Sequence, residues 1–423
     1  MRIATAFVSK ERFLIFDNPM EATLSNHEVL TQSEKGHLKI TSIKVMQLEG
    51  HGIQSLVKVE TNEPGLFGLG EIGGPAVMAR AYLHHLAPQI LGQDPLEIDR
   101  LCAVMTRMQT QFFAHWVHNP TVAGIDIALW DIAGKVCNRP ISRLLTGKYR
   151  DEIQLYINTL GPEDWLDKHA CQAWADELRA DPRGWKVIKF GFEKMLGRGL
   201  RPNRYQPGYI SSMLMPSDFK MIRQGYENCR EAIGWDIDII VHCHNEWDLP
   251  TALGLAEAVA PIKPLWIEDA LPVPYAETWK QFRAQSPVRV MTGEKLEFAY
   301  EFLQFLQNGA VDVIHPDIAF THGITGIRKI ADLAEMFYIP VVTHCVGSYV
   351  QLLATAHFGA ACRNFAMSEN RIPHGLLYEE MDENPMIVRD GHLLVPERPG
   401  LGITLNESGL RGDGWIGVTL EDI

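Results

Sequence analysis

The spacing of apolar residues changes near residue 153 and predicts two kinds of structure along the chain. Between residues 76 and 148 apolar residues recur every three or four positions, which is typical of amphipathic helices. After residue 153 short apolar runs rich in β-branched residues alternate with helical runs. This alternation favours parallel βαβ units in an α/β protein. The predicted strands of this half are IQLYINT, KVIKF, DIIVH, LWIED, VRVMTGE, DVIHPD and PVVTHC.

The number of these units predicts a closed (β/α) barrel of about eight strands with one unit altered. A doubly wound sheet is the alternative, but no GxGxxG turn joins a strand to a helix. Before the helices, LKITSIKVMQL and HGIQSLVKVETN predict an antiparallel ribbon. GLFGLGEIGGP, residues 65–75, is not followed by the Lys-Ser or Lys-Thr of a phosphate loop. We therefore interpret it as a turn or a mobile flap.

One connection is too long for an ordinary loop between a barrel strand and its helix. Residues 192–218 are rich in glycine, proline, arginine and tyrosine. Long loops at the carboxyl-terminal face of a barrel cover or shape a site. Tyr205 and Tyr209 are therefore candidate substrate-binding residues, with packing or an oligomer contact as the alternative.

Composition narrows the classes of function. The 423 residues include 46% hydrophobic residues, enough for a large core, and carry a formal net charge of -13. That charge disfavours nonspecific binding to nucleic acid or to an anionic membrane, although a bound cation would still allow an anionic substrate. The seven cysteines are scattered without a CxxC pair, which favours a reducing cytoplasm over a disulfide framework. Charged residues interrupt the apolar stretch at residues 1–16, and no apolar run approaches about 18 residues, so we expect neither a signal peptide nor a membrane span.

A polar residue ends each predicted barrel strand. From His242 to Glu369 these positions are 23 to 27 residues apart, which is one strand-plus-helix unit. The carboxyl ends of parallel barrel strands meet at one mouth, so we expect these side chains to converge. Helix capping explains a single acid but not the whole set, and the acids would repel one another without a cation. The set is Lys189, His242 with His244, Glu268, Glu294, Asp317, His344 and Glu369.

The stretch VHCHNEWD, residues 241–248, also fits a different site. Its two histidines face the same side of a strand and could bind one metal, as in zinc hydrolases. In such hydrolases the pair lies on the first barrel strand. Here it lies on about the third, and the next two strands end in glutamates. The hydrolase interpretation is therefore the less favoured alternative.

Six stretches together resemble the enolase superfamily, in the group of mandelate racemase and the acid-sugar dehydratases. The similarity covers residues 39 to 405, and the D-galactonate and D-mannonate dehydratases are the most similar types. The stretches are AGIDIALWDIAGKVCNRPISRLLTG, LWIEDALPV, TGEKL, IHPDIAFTHGITGIRKIADLAEMF, PVVTHCVGS and PGLGITLNE.

The resemblance implies a modified (β/α)7β barrel beneath an α+β capping domain that the chain's C-terminal end helps to form. We expect an N-terminal extension over residues 1–37 and the capping domain over 38–152. The barrel is expected over residues 153–380, and a C-terminal segment, 381–423, is expected to return to the capping domain.

The resemblance also implies a role for each strand-end residue. Family members bind Mg²⁺ through acids that end three successive strands, and the matching positions are His242, Glu268 and Glu294. The remaining positions match groups that act on the substrate. The Asp317–His344 pair matches the base, and Glu369 matches the acid that contacts the substrate carboxylate or enolate. His244 matches the acid that protonates the leaving hydroxyl, and Lys189 matches the first lysine of a Lys-x-Lys pair.

Such a set suits the removal of a proton next to a carboxylate. That proton is very weakly acidic, so a divalent cation must stabilise the enediolate as it forms. The base must titrate near neutrality, which suits a histidine held by an aspartate.

Two positions depart from the family pattern. His242 replaces an aspartate, and a neutral imidazole should weaken Mg²⁺ binding and shift preference toward Mn²⁺, Fe²⁺, Co²⁺ or Zn²⁺. Gly191 stands at the second lysine position, which removes the second base of two-base racemases. Elimination with a single base is therefore favoured over racemisation.

We therefore expect a metal-dependent lyase that removes water from an acid sugar and gives a 2-keto-3-deoxy acid. A racemase, epimerase or cycloisomerase on the same scaffold is the alternative, with His244 opposite His344 as a second base. A non-catalytic barrel with a metal site eroded at His242 is a further alternative. The expected partner is a small sugar acid, with no nucleic acid or membrane, and a homo-oligomer is expected.

Overall fold

The computed structural model describes most of the chain. The described residues are 37–49, 54–111, 118–192, 213–245, 247–371, 378–386 and 388–423. The predicted substrate-binding residues Tyr205 and Tyr209, and nearly all of the N-terminal extension, lie outside them.

Fourteen strands and twelve α-helices lie within the described residues. The strands are β1 (Ile40–Gln47), β2 (Ser55–Thr61), β3 (Phe67–Ile72), β4 (Glu152–Asn158), β5 (Val187–Gly191), β6 (Asp238–His242), β7 (Ile267–Glu268), β8 (Val290–Thr292), β9 (Val313–Ile314), β10 (Val341–Thr343), β11 (Phe365–Arg371), β12 (Val388–Arg389), β13 (His392–Leu394) and β14 (Ile416–Thr419). The helices are α1 (Ala76–Ile90), α2 (Ile98–Gln111), α3 (Asn119–Val136), α4 (Ile141–Leu144), α5 (Lys168–Ala180), α6 (Pro216–Ile233), α7 (Leu249–Val259), α8 (Glu277–Gln285), α9 (Ala299–Gln307), α10 (Gly323–Met336), α11 (Tyr349–Ala361) and α12 (Tyr378–Met381).

The second half of the chain forms a closed parallel barrel. Strands β4 to β11 pair in chain order, and β11 pairs back to β4 through partners such as Ser368 and Leu155. Each of the seven strand-to-strand connections within the described residues contains one helix of at least nine residues, from α5 to α11. The predicted modified (β/α)7β barrel is therefore confirmed, and ring closure excludes the doubly wound alternative.

A separate antiparallel sheet and helices α1 to α3 form the capping domain. The sheet has the strand order β14-β1-β2-β3, so the predicted ribbon of β1 and β2 is confirmed. Strand β14, from the C-terminal end, pairs with β1. Among the described residues, no helix is both long and apolar enough to cross a bilayer.

Strand β3 lies directly against helix α3 because its inward positions are glycines. A Cβ atom on Gly70 would overlap the backbone carbonyl of Gly124 in α3, and one on Gly68 would overlap that of Ala128. This close contact fixes β3 against α3, because the helix cannot move away from a well-packed core.

We predict that Gly70→Ala destabilises the protein by about 1–3 kcal/mol, because the added methyl forces β3 and α3 apart. Chemical denaturation of the purified protein measures this change. Gly74→Ala is the control, since its Cβ would meet only the His118 ring at 3.6 Å, and its cost should stay within about 0.5 kcal/mol. Equal losses for the two variants would contradict the packing argument.

Candidate active site at the barrel mouth

The strand-end residues converge at the carboxyl ends of the barrel strands. Lys189 lies in β5, His242 ends β6 and Glu268 ends β7. The others lie in β11 or within three residues after β8, β9 and β10, and they are Glu294, Asp317, His344 and Glu369. The apolar strands form the barrel wall, and the polar residues at or near their carboxyl ends lie at the mouth.

Asp317 and His344 form a tightly held pair. His344 Nδ1 lies 2.5 Å from Asp317 Oδ2, and the two residues form a parallel bridge between neighbouring strands. The other oxygen, Asp317 Oδ1, accepts from the backbone N–H of Ala319 at 2.6 Å and from Gln351 Nε2 at 2.7 Å. The aspartate is thus fixed from three sides and sets the orientation of the imidazole ring.

The second ring nitrogen of His344 faces two carboxylates. Its Nε2 lies 3.5 Å from Glu294 Oε2 and 3.8 Å from Glu369 Oε2. Burial lowers the pKa of His344, but Glu294, Glu369 and Asp317 outweigh it and raise that pKa to about 10. Without a substrate or an added cation the ring is therefore protonated near neutral pH.

Lys189 links the acids on two opposite strands. Its Nζ donates to Glu268 Oε1 and to Glu369 Oε2, both at 2.8 Å, and all three side chains are fully buried. Burial raises the pKa of Glu268 to about 7, although Lys189 lowers it. Burial also disfavours the charged form of Lys189, but the surrounding glutamates raise its pKa well above the ordinary value.

The two histidines of the VHCHNEWD stretch contact each other. His242 Nδ1 lies 2.7 Å from Glu268 Oε1, while its Nε2 lies 2.6 Å from Nε2 of His244. The rings meet edge to face with centroids 3.9 Å apart. Eight predicted site residues thus form one continuous set of contacts, from His244 at one end to Asp317 at the other.

One further histidine at this mouth is absent from the predicted set. His315 is fully buried, and its Nε2 lies 2.8 Å from the hydroxyl of Tyr156, which also donates to Glu369. His315 precedes Asp317 by two residues, so both face the same way on extended backbone. That parity within DVIHPD is a signal for His315, whereas the prediction takes Asp317 alone from this strand end.

The structure identifies a group of atoms suited to a metal ion. One ligand atom each from Glu268, Glu294 and His315 lies within 4.8 Å of the other two. Within the described part of the chain, Glu268 Oε2, Glu294 Oε2 and His315 Nδ1 are buried without a hydrogen-bond partner. Buried acceptors without partners are costly, and a cation would satisfy these, so the residues fit a divalent metal.

A barrel of eight parallel strands, a separate antiparallel capping sheet and acids around a histidine–aspartate pair define an enolase-type architecture. The family described as enolase C-terminal domain-like matches residues 171–409, more than half of the chain. The mandelate racemase and muconate lactonizing enzyme N-terminal domain matches residues 37–146. The chain therefore belongs to the mandelate racemase and muconate lactonizing enzyme family of the enolase superfamily.

Relatives with assigned names are dehydratases, a class of lyase. D-Xylonate dehydratase of Haloferax volcanii is 29% identical over 388 residues, which cover 91% of each chain. D-Galactonate dehydratase of Pectobacterium atrosepticum is 28% identical and covers 88% of this chain and 93% of its own.

A solved structure shares the fold along nearly its whole length. The mandelate racemase/muconate lactonizing enzyme-like protein of Rubrobacter xylanophilus superposes with a TM-score of 0.79 at 27% identity. The match covers 88% of this chain and 96% of that protein.

Proposed function

We propose that this protein is a metal-dependent acid-sugar dehydratase. The observation that carries the proposal is the His344–Asp317 pair, whose second ring nitrogen faces Glu294 and Glu369 at the barrel mouth. The names of the D-xylonate and D-galactonate dehydratases support a sugar-acid substrate. The product would be a 2-keto-3-deoxy sugar acid formed through an enediolate.

His344 is the proposed general base. Asp317 holds Nδ1, so Nε2 is the nitrogen that would take the proton next to the substrate carboxylate. Its ring must first be neutral, yet Glu294 and Glu369 keep the pKa raised. Neutralising the charge of Glu294 would lower that pKa, so we expect the base to work only in the metal-loaded protein.

Glu268, Glu294 and His315 are the proposed metal ligands, because each has one buried atom that makes no hydrogen bond within the described residues. A bound divalent cation would supply the positive charge that stabilises the enediolate. A nitrogen donor among the ligands favours Mn²⁺, Fe²⁺, Co²⁺ or Zn²⁺ more than an all-oxygen set would, although Mg²⁺ is the family metal. His242, the third ligand in the prediction from sequence, stays a candidate beside His315.

His244 is the proposed acid for the leaving hydroxyl. It is only half-buried at the mouth, and its Nε2 contacts His242, which in turn contacts Glu268. Lys189 and Glu369 are proposed to face the carboxylate and the developing enediolate. Their mutual bond at 2.8 Å supports a common position on one side of the site.

The test is a screen of aldonic and aldaric acids with a 2-keto-acid assay, run alongside hydrogen exchange at C2 in D₂O. We expect keto-acid formation from at least one sugar acid. Exchange or inversion at C2 without any keto acid would instead support the racemase or epimerase alternative. Neither reaction with any acid, in protein shown to hold metal, would favour a non-catalytic barrel.

We predict that His315→Gln lowers Mn²⁺ affinity by at least about tenfold, because it removes the only nitrogen in the proposed ligand set. Calorimetric titration of the metal-free protein with Mn²⁺ measures this. His322→Gln is the control, since that histidine contacts Asn119 outside the ligand set and should leave affinity unchanged. If His242→Gln weakens binding while His315→Gln does not, His242 is the ligand.

We also propose a cytoplasmic location and a homo-oligomer. All seven cysteines are free thiols, and six of them are buried, which suits a reducing compartment.

A further inference from the structure

A carboxylate from the capping domain contacts the barrel helix that follows the proposed base. Glu71 in β3 is fully buried and contacts the N-terminus of barrel helix α11. Its oxygens accept from the backbone N–H of Ser348 at 2.7 Å, from that of Gln351 at 3.0 Å and from the Ser348 hydroxyl. These backbone donors have no helical partner of their own, and the helix dipole favours a negative charge there.

The first turn of α11 also contacts Asp317. Gln351 donates its backbone N–H to Glu71 and its side-chain Nε2 to Asp317 Oδ1 at 2.7 Å. Asp317 in turn holds His344 through its other oxygen. A single residue, Gln351, therefore joins the capping-domain carboxylate to the His344–Asp317 pair.

Two neighbouring residues show that Glu71 packs tightly against the loop before α11. A Cβ atom on Gly347 would overlap both Glu71 Oε1 and Gln351 Oε1, so a larger residue in the loop after His344 would displace both side chains. Gln54, also from the capping domain, donates to the carbonyl of Val346 in the same loop. Burial raises the pKa of Glu71 to about 7, while the bonds from Ser348 and Gln351 lower it.

We propose that Glu71 is a positioning residue for the base: by holding the first turn of α11 it sets Gln351, and through Gln351 it orients Asp317 and His344. The capping domain would then do more than cover the substrate, because its docking on the barrel completes the alignment of the base. This inference rests on the proposed role of His344, but its geometry is testable without any substrate.

The test compares Glu71→Gln with Asp126→Asn in the full chain. Glutamine is isosteric but keeps only one acceptor oxygen, so one of the two backbone donors, Ser348 or Gln351, faces an NH₂ group and the first turn of α11 should loosen. Asp126 is the matched control, because this capping-domain carboxylate is also fully buried and accepts from Thr325 at the N-terminus of α10. It makes no contact with Gln351 or His344 among those described.

The first readout is solvent exchange of the His344 Nδ1–H proton by NMR, assigned through its loss in His344→Asn. We expect exchange to accelerate at least about tenfold in Glu71→Gln and to stay near the original rate in Asp126→Asn. With an active sugar acid, kcat should fall about tenfold while KM changes less than about threefold. Glu71→Asp, which keeps the charge, should recover part of the loss.

Unchanged exchange in folded Glu71→Gln, or equal acceleration in both variants, would overturn the proposal and leave Glu71 as an ordinary domain contact. If Glu71→Gln does not fold, Gln351→Met carries the test, because it keeps the backbone bond to Glu71 and removes the one to Asp317. If exchange of the His344 Nδ1–H proton is faster in Glu71→Gln but the unaltered protein forms no keto acid from any sugar acid, the positioning role is supported and the proposed function is refuted.

Discussion

Replacement of His344 by asparagine is expected to lower kcat/KM for keto-acid formation by about 10²–10⁴-fold, the usual contribution of a general base. The amide can still bond to Asp317, so the local packing should survive while the group facing the substrate proton is lost. The measurement is keto-acid release, with C2 exchange in D₂O followed in parallel. Both should fall together, because both require removal of the same proton.

A matched control for this prediction is His392→Asn. His392 lies in β13, and its Nδ1 contacts the carbonyl of Asp390 away from the barrel mouth, so activity should stay within about twofold. C2 exchange at the original rate in His344→Asn would show that another group removes the proton. His244 is then the first residue to test, since it is the predicted second base of the isomerase alternative.

The barrel and most of its mouth could be predicted because each strand carries its own signal. An apolar run forms a strand of the barrel wall, and the polar residue after it lies at the carboxyl-terminal mouth. Glu268 and His344 could therefore be identified from their spacing along the chain. The closure of β11 onto β4 follows once the units are counted. These predictions do not depend on which side chains contact each other across the barrel.

Contacts between distant strands could not be predicted in the same way. The bonds from Lys189 to Glu268 and Glu369 depend on distances across the barrel that spacing does not fix. His315 was missed because its two-residue spacing from Asp317 fits a core residue as well as a site residue, and spacing does not show that it lies beside Glu268 and Glu369. Glu71 was hidden within a glycine-rich stretch interpreted as a flap, whereas it lies in β3 against the barrel.

The largest expected effect on stability comes from Lys189→Met, which should lower the free energy of unfolding by about 3–5 kcal/mol. The ammonium group is fully buried between Glu268 and Glu369, and removing it takes away the cation that donates to both carboxylates in this low-dielectric site. Chemical denaturation of the metal-free protein measures the change. Lys168→Met is the control, since its pair with Glu231 is well exposed and is worth less than about 1 kcal/mol.

Added metal should show whether Lys189→Met loses stability because a positive charge is missing or because packing is altered. If Glu268 and Glu294 bind a divalent cation, that cation replaces part of the positive charge that Lys189 supplied. Mn²⁺ should therefore raise the melting temperature of Lys189→Met more than that of the unaltered protein, because tighter binding to the folded state gives a larger stabilisation, which grows with the logarithm of the affinity. Equal shifts would mean that Lys189 does not share its carboxylates with the metal. A loss no larger than that of Lys168→Met would mean that the glutamates shed their charge by protonation when the lysine is removed.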